Sequence, residues 1–137
     1  MTKARKAILE TVEDSLVPLS ASEIHKKITR PMDLVTVYRA LKYLEDHGFL
    51  ESFSFTCSEK RTERYYYRRR EPHVHFFHCE QCHTFLDLGK CQLDTQVVRL
   101  EAQYGVQIST HTLYFTGICA SCLSARGRTT DTGLQEN

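Results

Sequence analysis

No stretch of this 137-residue chain carries enough consecutive apolar residues to cross a bilayer, which excludes an embedded helix and a membrane partner. The opening Met1-Thr2-Lys3-Ala4-Arg5-Lys6 leads straight into an amphipathic pattern without a signal-peptide core, so the expected location is the cytoplasm. There are no internal repeats. No His-x-Glu occurs, and His78 and Ile118, not proline, precede the two Cys-x-x-Cys pairs. A zinc deaminase needs both features, so that enzyme class is excluded. Net charge is also scarce, at +1. That small figure hides an asymmetry, because residues 1–70 carry a net +4 and residues 71–137 a net −3. A basic first half suits contact with a polyanion.

Cysteine and histidine, by contrast, are concentrated. Residues 73–82 read His-Val-His-Phe-Phe-His-Cys-Glu-Gln-Cys, and His83 follows. Cys79 and Cys82 form one Cys-x-x-Cys pair, and Cys119 and Cys122 form a second. This spacing lets a tight turn aim two thiolates at one ion, and two such turns complete a tetrahedral four-thiolate zinc site. In a cytoplasmic chain these spacings read as metal ligands rather than disulfides. The competing readings are redox-active pairs or a zinc-ribbon module that binds protein. The 36 residues between the pairs must hold a helix and a strand.

Taken in order, residues 3–14 predict a helix with Ala4, Ile8, Leu9 and Val12 on one side. Pro18 breaks it. Ser20-Ala21-Ser22-Glu23 fits a capping box at the start of a second helix, which ends before Pro31. Asp33 is the expected cap of a third helix, with Val37, Leu41 and Leu44 inward and Gly48 as its stop. Residues 49–55 and 64–68 predict two strands around a polar turn. Helix-turn-helix followed by a hairpin is a winged helix. Its hairpin carries Lys60, Arg61 and Arg64, placed to meet phosphates. Cys57, in the wing turn, reads as a free thiol, and His25 and His47 read as surface residues.

Pro72 marks a hinge. Beyond it, residues 74–79 and 84–88 predict strands. Leu93, Val97, Leu100 and Tyr104 share a helix face that Gly105 ends, and residues 106–116 predict a long strand. From Leu123 onward the polar, Gly/Ser/Thr-rich sequence predicts a disordered tail. The organisation expected is α+β, with a winged helix over 1–70, a metal-binding unit over 71–122 and a tail over 123–137. On a strand, His73 and His75 point to one face, and two imidazoles on one face chelate one divalent ion. Asp87, Cys91, Asp94 and His111 lie downstream of them.

These pieces together resemble the ferric-uptake-regulator family of metal-dependent repressors. The matching stretches are residues 19–24, Thr36-Val37-Tyr38-Arg39-Ala40-Leu41, Gly48-Phe49-Leu50, Arg64-Tyr65, the His73-to-Cys82 run, and His111 to Cys122. The resemblance implies a dimeric, metal-responsive repressor of metal-homeostasis genes rather than an enzyme. Its partners would be double-stranded operator DNA and a second copy joined through the C-terminal α/β lobe. It implies a recognition helix presenting Thr36, Tyr38, Arg39 and Lys42, with Tyr38 in apolar contact with a base and Arg39 on phosphate or guanine. It places a structural Zn2+ on Cys79, Cys82, Cys119 and Cys122. It places a second divalent ion, Zn2+ or Fe2+, on Glu51, His73, His75 and Asp87, and a third site at Asp94 and His111. Glu51 stands where the zinc-sensing branch has a ligand, which favours zinc. An iron- or peroxide-sensing repressor is the alternative within the family. Three departures stand out. Tyr66 takes a position that often carries an acid or cysteine. Three residues rather than two separate His75 from Cys79. His83 replaces a usual glycine.

Overall fold

The computed structural model describes residues 1–56 and 61–129. Cys57 and Lys60, both singled out above, lie outside them. The chain divides into two compact units, Met1–Val74 and His75–Asn137.

The first unit begins with α1 (Lys3–Glu13), β1 (Leu19–Ser20) and α2 (Ala21–Lys27). Then come α3 (Leu34–Asp46), β2 (Leu50–Thr56) and β3 (Thr62–Arg68). The caps form as their chemistry requires. Ser20 Oγ accepts from the Glu23 amide (3.2 Å), and Glu23 Oε1 accepts from the Ser20 amide (2.9 Å). Asp33 Oδ1 accepts from the Thr36 amide at 2.9 Å and starts α3. Gly48, at φ +80°, follows the helix in a left-handed conformation open to glycine. Ile8, Val12, Ile24, Val37, Ala40, Leu41 and Leu44 interlock between the helices, and Leu19, Leu50 and Tyr66 close the core from the sheet. That sheet runs β1-β3-β2, all antiparallel. Its long hairpin pairs Leu50 with Arg68 at one end and Thr56 with Thr62 at the other. Tyr66, at the position where the family often has a ligand, is core: it is buried, and burial raises its phenol pKa. His25 also has a structural contact, with Nε2 2.8 Å from the Met32 carbonyl oxygen across the α2–α3 turn.

A cis peptide bond joins Glu71 to Pro72 near the junction. The second unit is built on β4 (Val74–Cys79), β5 (Phe85–Lys90), α4 (Asp94–Tyr104), β6 (Tyr114–Gly117) and α5 (Ala120–Thr129). Its sheet order is β5-β4-β6, with β6 parallel to β4 from Phe76↔Tyr114 to Cys79↔Gly117. Two expectations change here. The long strand expected over 106–116 shrinks to four residues. Residues 106–110 are tied instead to the end of α4, where the Val106 amide bonds the Glu101 carbonyl and the Ile108 amide bonds the Glu101 carboxylate. Their β-branched residues satisfied the strand pattern, but no neighbouring strand pairs with them. The disordered tail expected from Leu123 is helical as far as Thr129. Its first turn is set by the second Cys-x-x-Cys, where the Leu123 amide donates to the Cys119 carbonyl at 2.9 Å. Local anchoring outweighs the weak helix propensity of the polar residues that follow.

Candidate metal centres and nucleic-acid interface

The four cysteines of the two pairs converge. β4 delivers Cys79 to the first turn, and β6 delivers the chain to Cys119 at the second. Cys79 Sγ lies 3.8 Å from Cys122 Sγ, and Cys82 Sγ lies 3.7 Å from Cys119 Sγ. Thiolates at about 2.3 Å from a tetrahedral zinc stand about 3.8 Å apart, so the sulfurs already have the spacing of the filled site. They are far too distant for disulfides. Backbone geometry prepares the charge. The amides of Gln81, Cys82 and Cys119 all donate to Cys79 Sγ at 3.4 Å. These donors, that of Cys82 foremost, hold the Cys79 thiol down to about 5. Cys122 is pushed up to about 12, chiefly by its bond to Cys119. Binding an ion at such a site releases the protons its thiols still carry. His83 closes the first turn at φ +63°, its amide on the Cys79 carbonyl. That left-handed conformation explains why glycine is usual there.

A second group has formed at the other end of β4. His73, His75, Cys91 and His111 bring ligand atoms within 4.8 Å of one another. His75 lies on β4 and His73 directly precedes it, two residues away and so of the same parity. Val74 and Phe76, of opposite parity, are buried on the other face. His75 Nδ1 is 3.1 Å from the Leu113 carbonyl. A carbonyl only accepts, so Nδ1 carries the proton and Nε2 presents its lone pair. That Nε2 is 3.0 Å from His111 Nε2, which in turn is 3.4 Å from Cys91 Sγ. His111 lies in the irregular segment before β6, not on a strand. Cys91 lies just after β5 and is buried. Nitrogen and thiol donors of this kind suit a borderline divalent ion.

The remaining predicted ligands have contacts of their own. Asp87 Oδ1 accepts from the Gly89 amide at 2.7 Å, within β5. Asp94 occupies the first turn of α4, where its charge favours the positive end of the helix. Neither joins the group of four. Glu51, in the first unit, accepts from the Tyr67 hydroxyl at 3.2 Å and faces Arg69 Nε at 3.8 Å. Burial first, and the Glu51 charge next, raise the Tyr67 phenol above its ordinary range. The sequence shows Cys91 but no spacing that marks it as a ligand. Only the fold brings it to His111.

The polyanion face of the first unit is equally concrete. Core residues Val37, Ala40, Leu41 and Leu44 fix one side of α3. The other side presents Tyr38, 52% exposed, with Arg39 and Lys42 also exposed and Thr36 half-buried. Lys42 pairs with Asp46 at 3.2 Å across one helical turn. The Arg5 guanidinium sits 3.6 Å over the Tyr43 ring and helps hold α1 to α3. On the hairpin, Arg64 Nη1 donates to Ser52 Oγ at 2.7 Å, and the Ser52 hydroxyl donates to Glu45 Oε2 at 2.5 Å. Arg64 is therefore held in place while exposed, and Arg61 is exposed at the start of β3.

An exposed helix on a winged helix-turn-helix, in one chain with a four-cysteine centre, defines a metal-dependent DNA-binding regulator. The comparisons make this specific. The sequence model of the Ferric uptake regulator family matches residues 1–116, and the chain belongs to that family. It is a metal-responsive transcriptional regulator and not an enzyme. The ferric uptake regulation protein of Campylobacter jejuni is 22% identical over 132 residues, covering 93% of this chain and 82% of that protein. The zinc uptake regulation protein of Mycobacterium tuberculosis is 29% identical over 131 residues, covering 90% and 94%. The crystal structure of the Vibrio cholerae ferric uptake regulator superposes with a TM-score of 0.71 at 25% identity, covering 87% of this chain and 91% of that one. No helix among the described residues is long and apolar enough to cross a membrane.

Proposed function

We propose that this chain is a cytoplasmic, homodimeric repressor that binds operator DNA when zinc fills the group formed by His73, His75, Cys91 and His111. The observation that carries the reading is that group itself, a second ligand cluster beside a complete four-cysteine centre. The four-cysteine set would hold a structural zinc, and its closed thiolate shell leaves no position for a signal to enter. The second group has imidazoles and a thiol and no carboxylate, which favours zinc over manganese or ferrous iron. Among the relatives, names for zinc uptake and for ferric uptake both occur.

The dimer has its own support. Leu86, Leu88, Val98, Leu100, Tyr104 and Phe115 are exposed on the second unit. A second copy would cover them, and apolar groups of this size gain from leaving water. His73 precedes β4 directly at the junction. By closing on an ion together with the other three ligands, His73 would fix the segment from which the winged helix hangs. That favours the orientation in which two recognition helices of a dimer enter successive major grooves. The equilibrium moves only by the ligands' preference for that orientation, so losing two of them abolishes the response.

The test is selection from a random duplex library by the dimer holding one zinc per chain, with and without added zinc. The reading expects sequence enrichment only with added zinc, and none for His73→Ala/His75→Ala although it keeps its dimer and its first zinc. Equal enrichment without added zinc, or an unchanged response in the double variant, would remove the switch from this cluster.

A further inference from the structure

We infer that Cys91 is the ligand that decides which cation the second centre accepts, restricting it to thiophilic ions content with four ligands, such as zinc, cadmium and cobalt. The inference rests on the metal-sensing reading above and deepens it. Three observations carry it. First, Cys91 Sγ is 3.4 Å from His111 Nε2, the same atom that meets His75 Nε2 at 3.0 Å. His111 therefore touches two of the other three donors, and the sulfur lies inside the cluster. Second, the Leu93 amide donates to Cys91 Sγ at 3.3 Å. That amide holds the sulfur in place. It also fixes the loop that carries the ligand. Third, among the described residues no carboxylate enters the group, although Asp87 and Asp94 lie on the two elements that flank Cys91. Three imidazoles and one thiolate complete a four-ligand shell with no place that calls for water or a carboxylate.

Ligand softness then sets the selection. Thiolate favours zinc and its thiophilic surrogates, whereas manganous ion prefers carboxylate, carbonyl and water. Ferrous ion lies below cobalt and zinc in the affinity order for a shared nitrogen and sulfur set. On binding, the Cys91 thiol releases one proton to solvent and the sulfur takes the ion in its place. Cys91 is 7% exposed, so an ion there also shields the sulfur from thiol reagents.

Cobalt(II) titration of the full-length dimer already holding one zinc per chain tests this. The inference expects one further cobalt per chain, with a sulfur-to-cobalt charge-transfer band and the intense visible bands of a four-coordinate ion. Native mass spectrometry must show the first zinc retained, so that the band cannot come from the four-cysteine centre. Zinc and cadmium should displace the cobalt, and equal concentrations of ferrous or manganous ion should not. Cys91→Ser should lose the charge-transfer band and weaken cobalt by at least the roughly 10–100-fold that removing an outer-shell partner costs. If that variant does not fold, Cys91→Asp supplies the second arm. It should bind without the band and gain manganese relative to zinc. A second cobalt bound without the band would overturn the role of Cys91 and leave the metal-sensing reading standing. Manganese relative to zinc unchanged in Cys91→Asp would overturn it in the same way. Failure to bind any second ion, cobalt or zinc, would end both.

Discussion

The two units of this chain meet the same requirement by different means. In the first, eleven buried residues interlock, and α3 alone contributes four. In the second, α4 buries none of its side chains, and Val98, Leu100 and Tyr104 face outward. What is most enclosed there includes Cys79 and Cys91, both members of ligand groups. A unit of this size gains little from apolar burial alone. Closed thiolate zinc sites in small peptides bind with apparent free energies of about 10–16 kcal/mol. That matches the ~5–15 kcal/mol holding an ordinary domain together. The difference between the units is therefore one of what would hold each fold: packing in the first and, once an ion is bound by the four cysteines, coordination in the second.

The sharpest way to break that comparison is Cys119→Ser. It removes one of four ligands and should abolish the folded second unit and the dimer, while helical signal from the first unit persists. Circular dichroism with sedimentation checks both. A stable, zinc-free dimer would contradict the contrast. Next in size is Leu41→Ala, which deletes a fully buried side chain of the first unit. It should cost about 2–5 kcal/mol in denaturant unfolding of that unit and leave the zinc stoichiometry of the second unchanged.

Arg64→Ala comes third. It should weaken DNA binding without loss of zinc and lower the slope of log affinity against log salt by about one. Ser52→Ala should weaken binding less, because Arg64 keeps its charge and loses only the hydroxyl that holds it. The smallest effects belong to the caps. Ser20→Ala should cost about 1 kcal/mol, read in thermal melts. Asp33 has a pKa held below its ordinary value, first by the Thr36 side chain and then by the Thr36 amide. Its contribution is present above the ordinary carboxylate pKa and fades as pH falls through the lowered value. Melts of wild type and Asp33→Asn should therefore converge as pH falls below the ordinary carboxylate range.

Much of this was readable before any coordinates. Local chemistry fixes the caps at Ser20 and Asp33, the stop at Gly48 and the alternation of β4, and each takes the form expected of it. The paired Cys-x-x-Cys spacing announces its centre because each pair lies within one turn. Cys91 and His111 are different. They lie 20 residues apart; the resemblance marks His111 but no spacing marks Cys91, and only the path of the chain around α4 joins them. Glu51 and Asp87 illustrate the converse. Position suggests both as ligands; in the structure Glu51 accepts from a phenol and Asp87 from a backbone amide. The apolar stripe of α4 was legible as amphipathic. In the structure Leu100 and Tyr104 of that stripe are exposed while Leu93 and Val97 are half-buried, because pattern reports that a face wants cover and not which surface supplies it.

The most direct test of the contrast is hydrogen–deuterium exchange during stepwise removal of metal from the zinc-loaded dimer. Loss of the first, weaker ion should raise exchange around His75, Cys91 and residues 111–114 while both units stay folded. Loss of the second should release protection throughout β4, β5 and β6 and leave α1, α2 and α3 protected. Uniform loss across both units, or a second unit that stays protected without metal, would contradict the account.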